Sequence, residues 1–529
     1  MFDLLITGGL VIDGSGDPAR EADVGIQDGK IAAVETRLNA QAARTIELGG
    51  QIVSPGFIDI HRHADAALFR PDCGESELRQ GITSLVTGPC GMSLAPLPAA
   101  RRETILAYLA PVTGSLPPGV PFETFAEYAG CLSSRPLPLN AAALIGSGTT
   151  RAAVMGYGGG SPDAAAISRM QAVLEAALAA CAAGVSIGLS YLPDAAWKAG
   201  ELAQVLAPLG GTGKPLVCHV RGEGDLLCDS IAEVITLARH IGAPLHISHF
   251  KCIGRRNWGG LVKQAIAHID TAREEGMTVT CDAYPWTAGS TQMLSLLPPA
   301  FCEGGLAVAA RRLRDKAVRS ACREQLLRPG AGFENVVYGI GWESIYISGL
   351  KTEANRPLIG KNVAEIAAIR QCDPFDAAFD LLVEEDGEVT MIDYITCEDD
   401  IDTIMRLPYT SIISDSLYSE VGLPHPRRNA NIPQVFHTLV AGRRVLTLEQ
   451  AVHKLSGLPA TTMALSGKGF IRPGYDADIA IFKPENISPP ADYGNPEKLT
   501  DGFDYVLIAG MPVLAEGKLT GAQAGRFVG

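Results

Sequence analysis

Two patterns of apolar and polar positions divide the chain into β-rich ends and an α/β middle. Residues 1–54 contain short alternating runs broken by Gly-Gly and Asp-Gly, which predicts hairpins, and residues 468–529 repeat this pattern. Residues 55–467 alternate short apolar runs with amphipathic segments, as is typical of βα units around a parallel sheet. We therefore expect a small β-sandwich domain built from both termini and a (β/α)8 TIM-type barrel over 55–467.

Eight short apolar runs in the middle region are candidates for the barrel strands: 56–60, 82–86, 141–145, 185–189, 216–219, 245–249, 277–283 and 411–415. The segments 335–339 and 389–395 also have strand character. The seventh strand is therefore ambiguous between 277–283 and 389–395, and we expect an insertion late in the barrel at about 286–370. In barrels of this type the active site lies at the C-terminal ends of the strands.

Composition limits the classes of function. The chain has 529 residues, of which 47% are hydrophobic and 19% charged, so it can bury a large core. Its net charge of -14 and its lack of a basic run argue against a nucleic-acid partner. The N-terminus has no secretory pattern, and the apolar stretch 163–183 carries charges, as a buried helix would. The twelve cysteines are scattered rather than spaced as in a disulfide scaffold, so we expect a cytoplasmic enzyme. We expect no membrane partner, and homo-oligomerisation stays open.

Four histidines fall where strands end. His61 and His63 follow the first predicted strand in PGFIDIHRH, and side chains two residues apart on extended chain point the same way. His219 and His249 end two later strands, in PLVCHV and PLHISHF. Because imidazole is a preferred zinc ligand, the placement of these four histidines predicts a metal site. His246 lies on the opposite face of its strand and is interpreted as structural.

Asp415 follows the apolar run SIIS at the end of the last predicted strand. There it could bind the metal, accept a proton from the attacking water, or do both. A lone Asp after a strand is also a common helix N-cap. The four histidines favour the first interpretation.

Several longer motifs extend these observations. PGFIDIHRHAD, GITSLVTGPCGMS, GLSYLP, HVRGEGD, ISHFKCIGRRNWG, DAYPWTAGST and ISDSLYSEVGLPHPR are spread over nearly the whole chain. With them the sequence resembles the amidohydrolase superfamily and, within it, the N-acyl-D-amino-acid deacylases (D-aminoacylases). The resemblance implies the barrel and terminal β domain, and zinc-dependent hydrolysis of the amide bond of a small N-acyl-D-amino acid.

Cys90, in GITSLVTGPCGMS, bears on the branch of the superfamily. Many relatives bridge two metals with a carbamylated lysine, but this chain has no lysine between Lys30 and Lys198. In the D-aminoacylases a cysteine after the second strand binds the tight zinc, and Cys90 matches it; alone, it could be a small buried residue. The resemblance implies a tight zinc that is bound by Cys90, His219 and His249. It also implies a weaker second metal position that is bound by His61, His63 and Asp415.

The resemblance also implies a substrate carboxylate held by Lys251, Tyr284 and Arg427, three groups that could together satisfy a carboxylate. The resemblance also implies Asp415 as general base and then acid. We add Tyr191, in GLSYLP, as a group that could help to stabilise the oxyanion.

The chain departs from the family after Arg427. Relatives continue with an aromatic residue, a glycine and a phenylalanine, whereas residues 428–433 read RNANIP. Acyl-group and side-chain preference therefore stay open. Two alternatives also remain: an amidohydrolase acting on a cyclic amide or imide, against which the missing lysine argues, and a non-catalytic assembly protein, against which the complete set of six ligands argues.

Overall fold

The computed structural model describes residues 1–330 and 332–528, and its centre is a barrel of eight parallel strands. We number these barrel strands one to eight in chain order: Phe57–Asp59, Ile82–Thr87, Asn140–Ala143 (continued by Ile145–Gly146), Val185–Gly188, Leu216–His219, Leu245–Ile247, Val279–Ala283 and Thr410–Ile412. Neighbouring strands pair in parallel. A parallel bridge between Arg62 and Ser416 joins the ends of strands eight and one. The predicted barrel fold is confirmed.

The barrel strands are buried on both faces, which explains why the sequence shows continuous apolar runs rather than alternation. Helices cover the outside of the barrel and the connecting regions: Glu75–Arg79, Arg102–Thr113, Phe125–Ser133, Ser147–Met155, Ala164–Ala179, Ala199–Leu206, Leu227–Ile241, Leu261–Glu274, Pro299–Cys302, Leu306–Arg312, Lys316–Leu326, Val336–Ile340, Val363–Arg370, Pro374–Glu384, Glu398–Met405, Arg427–Gln434, Leu448–Leu455 and Gly457–Thr462. Within the described ranges, none of the helices is both long and apolar enough to cross a membrane.

The helix Leu227–Ile241 shows how the sequence specifies these outer elements. Its buried residues include Ile231, Val234 and Ala238, which recur at intervals of three and four and so form one face. The helix ends at Gly242, whose φ of 75° is the left-handed conformation in which glycine terminates helices without steric cost. The apolar face packs on the barrel while the opposite face meets solvent.

Between barrel strands seven and eight the chain forms a separate three-stranded antiparallel sheet of Ala288–Gln292, Thr390–Tyr394 and Ile345–Gly349. Val279–Ala283 pairs with strands six and eight, so it is the seventh barrel strand and 389–395 is not. Because Thr390–Tyr394 is the central strand of the separate sheet, the inserted region extends beyond the predicted 286–370. The strand expected at 335–339 is wrong: Val336–Ile340 is helical, with the Asn335 side chain capping it.

Strands from both termini pair in one nine-stranded sheet: Phe2–Val11, Arg20–Gln27, Lys30–Glu35, Ala42–Glu47, Ile52–Pro55, Ile479–Phe482, Phe503–Ile508, Met511–Ala515 and Lys518–Leu519. Ile52–Pro55 joins the two termini because it pairs with both Phe2–Val11 and Ile479–Phe482. The sheet packs around an apolar cluster that includes Ile6, Ile46 and Leu507. Ile52–Pro55 also leads directly into barrel strand one.

One glycine controls how closely barrel strand four approaches the loop after strand two. A Cβ on Gly188 would lie 2.0 Å from the carbonyl oxygen of Cys90, much closer than any real contact. We expect Gly188→Ala to reduce the free energy of unfolding by about 1–3 kcal/mol, as overpacking does. Chemical denaturation measures this change.

Gly200 provides the matched control, because it is an exposed helical glycine with no atom within 4 Å of an added Cβ. Gly200→Ala should leave stability unchanged or raise it by about 0.5–1 kcal/mol through helix propensity. Equal stability of the two variants would contradict the close approach at Gly188.

Candidate metal centre

The C-terminal ends of the barrel strands bring the six predicted metal-binding side chains together. His61 and His63 follow strand one, Cys90 follows strand two, and the remaining three lie at or after strands five, six and eight: His219, His249 and Asp415. The potential ligand atoms form two groups, and within each group the atoms lie within 4.8 Å of one another. One group is His61, His63 and Cys90, and the other is Cys90, His219 and His249. Cys90 is therefore shared between the two groups.

The Cys90 thiol lies between imidazoles. Its Sγ atom is 3.4 Å from Nε2 of His61 and 3.5 Å from Nε2 of His249. Burial favours the neutral thiol, but the positive charges of His61 and His249 outweigh it and hold the pKa of Cys90 well below its usual value. Cys90 is therefore a thiolate at neutral pH, which is the form that binds metals.

Three of the six residues have backbone conformations that non-glycine residues seldom adopt. The φ angles are 57° for Cys90, 34° for His249 and 52° for Asp415, all in the left-handed region. Hydrogen bonds hold two of these turns in place: the Asp415 amide donates to the His61 carbonyl at 3.0 Å, and the His249 amide donates to the Asp282 carboxylate. Such strain persists where surrounding contacts fix it and is frequent at functional sites.

Two buried carboxylates orient the imidazoles from behind. Asp282 Oδ2 lies 3.4 Å from Nδ1 of His61 and 2.8 Å from Nε2 of His246, and Glu223 Oε1 lies 2.9 Å from Nδ1 of His249. Contacts of this kind fix ring orientation and direct the opposite nitrogen towards the centre. His246 thus supports Asp282 rather than facing the metal centre.

The charges of these carboxylates depend on their partners. Burial alone would raise the pKa of Asp282, but His61 and His246 outweigh it and lower that pKa. Likewise, Lys251 and His249 outweigh burial and lower the pKa of Glu223. Both groups are therefore ionised at neutral pH.

Asp415 faces the two histidines of strand one. Its Oδ1 atom is 3.4 Å from Nε2 of His61 and 3.6 Å from Nε2 of His63. Its other oxygen pairs with Nη2 of Arg427 at 3.0 Å. Burial would raise the pKa of Asp415, but Arg427 and the histidines hold it well below its usual value, so Asp415 is a carboxylate at neutral pH.

The residues predicted to bind the substrate carboxylate lie on one side of this centre. The Tyr284 ring is 5.7 Å from Lys251 Nζ and 4.7 Å from Arg427 Cζ, so it lies between the two cations. Lys251 also pairs with Glu223 at 2.6 Å. Two nitrogens of the fully buried Arg427, Nε and Nη1, have no hydrogen-bond partner in the part of the chain that the structure describes.

An open cavity leads to the centre. Lys251, Tyr284 and Tyr191 line it, together with five of the six centre residues, all but His61. The Tyr191 ring is 4.7 Å from the His219 ring, and its hydroxyl is 3.2 Å from Thr291 Oγ1, a residue of the inserted sheet. The insertion therefore forms one wall of the cavity.

Sequence reasoning missed the residues that support the ligands. Glu223 lies in the motif HVRGEGD, four residues after barrel strand five, and Asp282 lies within barrel strand seven, next to its last residue. An acidic residue in an otherwise apolar strand was the available signal for Asp282, whereas Glu223 had none. Arg62 was also missed, although it stands between His61 and His63. Its fully buried side chain pairs with Asp59 at 3.2 Å and with Glu77 at 2.8 Å. This anchors the backbone between the two histidines.

The donor set fits a zinc ion. One thiolate and several imidazoles are the ligands that zinc prefers, and zinc sites of this kind are buried and supported by carboxylates, as here. Burial and Lys251 favour a neutral His249, but Glu223 and Cys90 outweigh them and raise the pKa of His249 to about 9. The proton on His249 therefore supplies positive charge beside the Cys90 thiolate. A bound cation would replace that proton.

Comparisons with known proteins agree with this geometry. Residues 333–514 match the model of an amidohydrolase family. The chain is 32% identical to a D-aminoacylase of Alcaligenes xylosoxydans xylosoxydans over 100% of this chain and 97% of the relative. It is also 32% identical to an N-acyl-D-glutamate deacylase of the same organism, over 97% and 94% of the two chains.

A solved structure extends the comparison to the fold. The N-acyl-D-glutamate deacylase of Bordetella bronchiseptica, complexed with zinc and a phosphonate mimic of the tetrahedral intermediate, superposes with a TM-score of 0.83. Its sequence is 31% identical, and the match covers 100% of this chain and 99% of that structure. The shared barrel and the full-length identity lead to one conclusion: the chain belongs to the D-aminoacylase family of amidohydrolases.

Proposed function

We propose that this protein is a zinc-dependent hydrolase that cleaves the amide bond of N-acyl-D-amino acids and releases a carboxylate and a D-amino acid. The observation that carries the proposal is the Cys90 thiolate shared by two groups of histidines beside Lys251, Tyr284 and Arg427. The relatives that match over nearly their whole length are named for this reaction, which supports the same substrate class.

We assign the tight zinc to Cys90, His219 and His249, and a second, weaker metal position to His61, His63 and Asp415. Cys90, His219 and His249 would hold zinc through one thiolate and two imidazoles, and three protein ligands are typical of catalytic zinc sites. When bound, zinc polarises the scissile carbonyl and lowers the pKa of a coordinated water. Glu223 supports this set of ligands by contacting His249 from behind.

Asp415 is assigned as general base and then general acid. It is ionised at neutral pH and lies at the mouth of the barrel beside His61 and His63, so it can accept a proton from the attacking water. The same group can then return a proton to the departing nitrogen, which leaves poorly as an anion. Arg427 restrains one oxygen of Asp415 and leaves the other directed at the centre.

Lys251, Tyr284 and Arg427 are assigned to the substrate carboxylate. The free Nε and Nη1 of Arg427 support this role, because buried guanidinium donors without acceptors are costly unless a ligand satisfies them. With the carboxylate and the scissile amide both fixed, the Cα substituents have one arrangement that fits, which selects one enantiomer. Tyr191 faces the same cavity and is assigned to the oxyanion.

We further propose a terminal β domain of residues 1–54 and 468–529 around a catalytic barrel of 55–467, and a cytoplasmic location. The twelve cysteines, all within the described ranges, are free thiols, which favours a reducing compartment.

Paired enantiomers test the reaction. With zinc-loaded enzyme, N-acetyl-D-amino acids should be hydrolysed at least about 100-fold faster in kcat/KM than their L-enantiomers, because misplacing the scissile bond by about 1 Å costs that much. Release of the free amino acid measures turnover. Hydrolysis of hydantoin or dihydrouracil, with neither enantiomeric series cleaved, would show a cyclic amidase instead.

Replacing Asp415 tests the proton transfer. Asp415→Asn should retain zinc and fold but lower kcat by about 10²–10⁴-fold, the usual contribution of a positioned general acid–base group. Zinc content by mass spectrometry and circular dichroism serve as controls on the same sample. Near-normal kcat would rule out Asp415 as the base.

Replacing Cys90 tests the metal assignment. Cys90→Ser should lower zinc content well below that of the wild type and abolish most activity, because serine is not ionised at neutral pH. Cys181→Ser is the matched control, because Cys181 is an exposed free thiol. This variant should retain both the zinc content and the activity of the wild type. Equal zinc content in the two variants would contradict the role of Cys90.

A further inference from the structure

Two carboxylates in the wall of the active-site cavity have no role in the reaction described above. Asp393, on the central strand of the inserted sheet, and Glu334, in the segment before the helix Val336–Ile340, both line the cavity. Asp393 is 4% exposed, and its Oδ1 atom has no hydrogen-bond partner within the described ranges. Glu334 accepts one hydrogen bond, from the Gly224 amide at 2.6 Å.

The cations of the cavity are already paired with other acids. Lys251 pairs with Glu223 at 2.6 Å, and Arg221 pairs with Glu233 at 2.9 Å. Arg427, which lies beside the site, pairs with Asp415. Neither Asp393 nor Glu334 forms an ion pair with a lysine or arginine among the described residues.

Asp393 lies beside the proposed carboxylate site. A Cβ built on Gly289 would be 2.9 Å from Asp393 Oδ1 and 3.4 Å from the Tyr284 hydroxyl, so the two groups flank the same point in the cavity. Arg427 Cζ is 4.7 Å from the Tyr284 ring, so the Asp393 acceptor and the Arg427 donors that lack partners among the described residues both lie near this tyrosine. A ligand that carries both a carboxylate and a cation would satisfy both.

Burial also changes the pKa values of these two acids. Burial raises the pKa of Asp393 to about 6, although Lys251 and Arg427 oppose it, and burial raises the pKa of Glu334 to about 7. A buried carboxylate is costly unless a cation or hydrogen bonds compensate it. Asp504 also has a buried oxygen without a partner, but it lies in the terminal sheet, away from the cavity.

Building on the proposed function, we propose that this enzyme takes N-acyl-D-amino acids whose side chain carries an ammonium or guanidinium group, with Asp393 as the main acceptor and Glu334 as the second. An acidic side chain would be repelled by the Asp393 carboxylate, and by Glu334 where it is ionised, and is disfavoured. A neutral side chain of the same length would be accepted but would leave Asp393 unsatisfied.

Three N-acetyl substrates of similar length separate these cases: D-lysine, D-norleucine and D-glutamate derivatives. With wild-type zinc enzyme, kcat/KM should be highest for the lysine derivative, by about tenfold or more over norleucine, as expected of one charge-assisted hydrogen bond. The glutamate derivative should be the poorest substrate. A preference for norleucine or glutamate over lysine would overturn the proposal while leaving amide hydrolysis intact.

Asp393→Asn should reduce the lysine-to-norleucine ratio of kcat/KM by about tenfold, because the variant keeps the shape of the side chain and removes its charge. Glu334→Gln should reduce the same ratio in the same direction. Asp504→Asn is the matched control and should preserve the ratio. An unchanged ratio in Asp393→Asn would exclude Asp393 as the acceptor.

Calorimetric titration with the products D-lysine and D-norleucine gives a readout that does not depend on turnover. Wild-type enzyme should bind D-lysine about tenfold more tightly, and Asp393→Asn should remove that difference. If no N-acetyl substrate is cleaved, the proposed function fails. The difference in product binding still decides the side-chain preference in that case. Equal binding of both products by wild type would overturn the preference.

Discussion

The site depends on one buried charge, the thiolate of Cys90. A thiolate at the closed end of a cavity is stable only if cations surround it, and the imidazoles of His61 and His249 are within 3.5 Å of it. Those imidazoles need partners of their own, and Asp282 and Glu223 provide them. The ion pair between Glu223 and Lys251 continues the alternation of charge towards the substrate. The proposed zinc ligands and Lys251 therefore belong to one electrostatic network.

Holding that thiolate in place requires an unusual backbone. Cys90 has a left-handed φ of 57°, and its carbonyl contacts barrel strand four so closely that only glycine fits at residue 188. His249 and Asp415 are in the same region of backbone conformation. Because L-residues favour this conformation little, the barrel must compensate for it with contacts formed elsewhere. Rigid parallel strands on both sides supply those contacts, which explains why the ligands lie just after strand ends.

The inserted sheet and the barrel contribute different parts of the proposed site. The barrel strands carry the six proposed metal ligands at their ends, whereas Ala288–Gln292 and Thr390–Tyr394 contribute Thr291 and Asp393 to the cavity wall. A loop region between barrel strands can change without disturbing the strands themselves. The proposed side-chain preference therefore rests on a part of the chain that is separate from the proposed chemistry.

The sequence alone predicted the barrel and the terminal sheet, because apolar runs and turn residues are local patterns. It also predicted the residues proposed for the metal centre, the histidines from their places at strand ends and Cys90 from the resemblance to the family. All eight predicted runs overlap a barrel strand, and the six proposed ligands lie close together. Only the tertiary structure decided which of two apolar segments is strand seven, since both have the same local pattern and differ in their pairing partners. It alone revealed that Glu223, Asp282 and Arg62 support the proposed ligands, and that Asp393 Oδ1 has no hydrogen-bond partner among the residues that the structure describes. Charge pairing between residues far apart in sequence has no local signal, so it emerges only when the chain is folded.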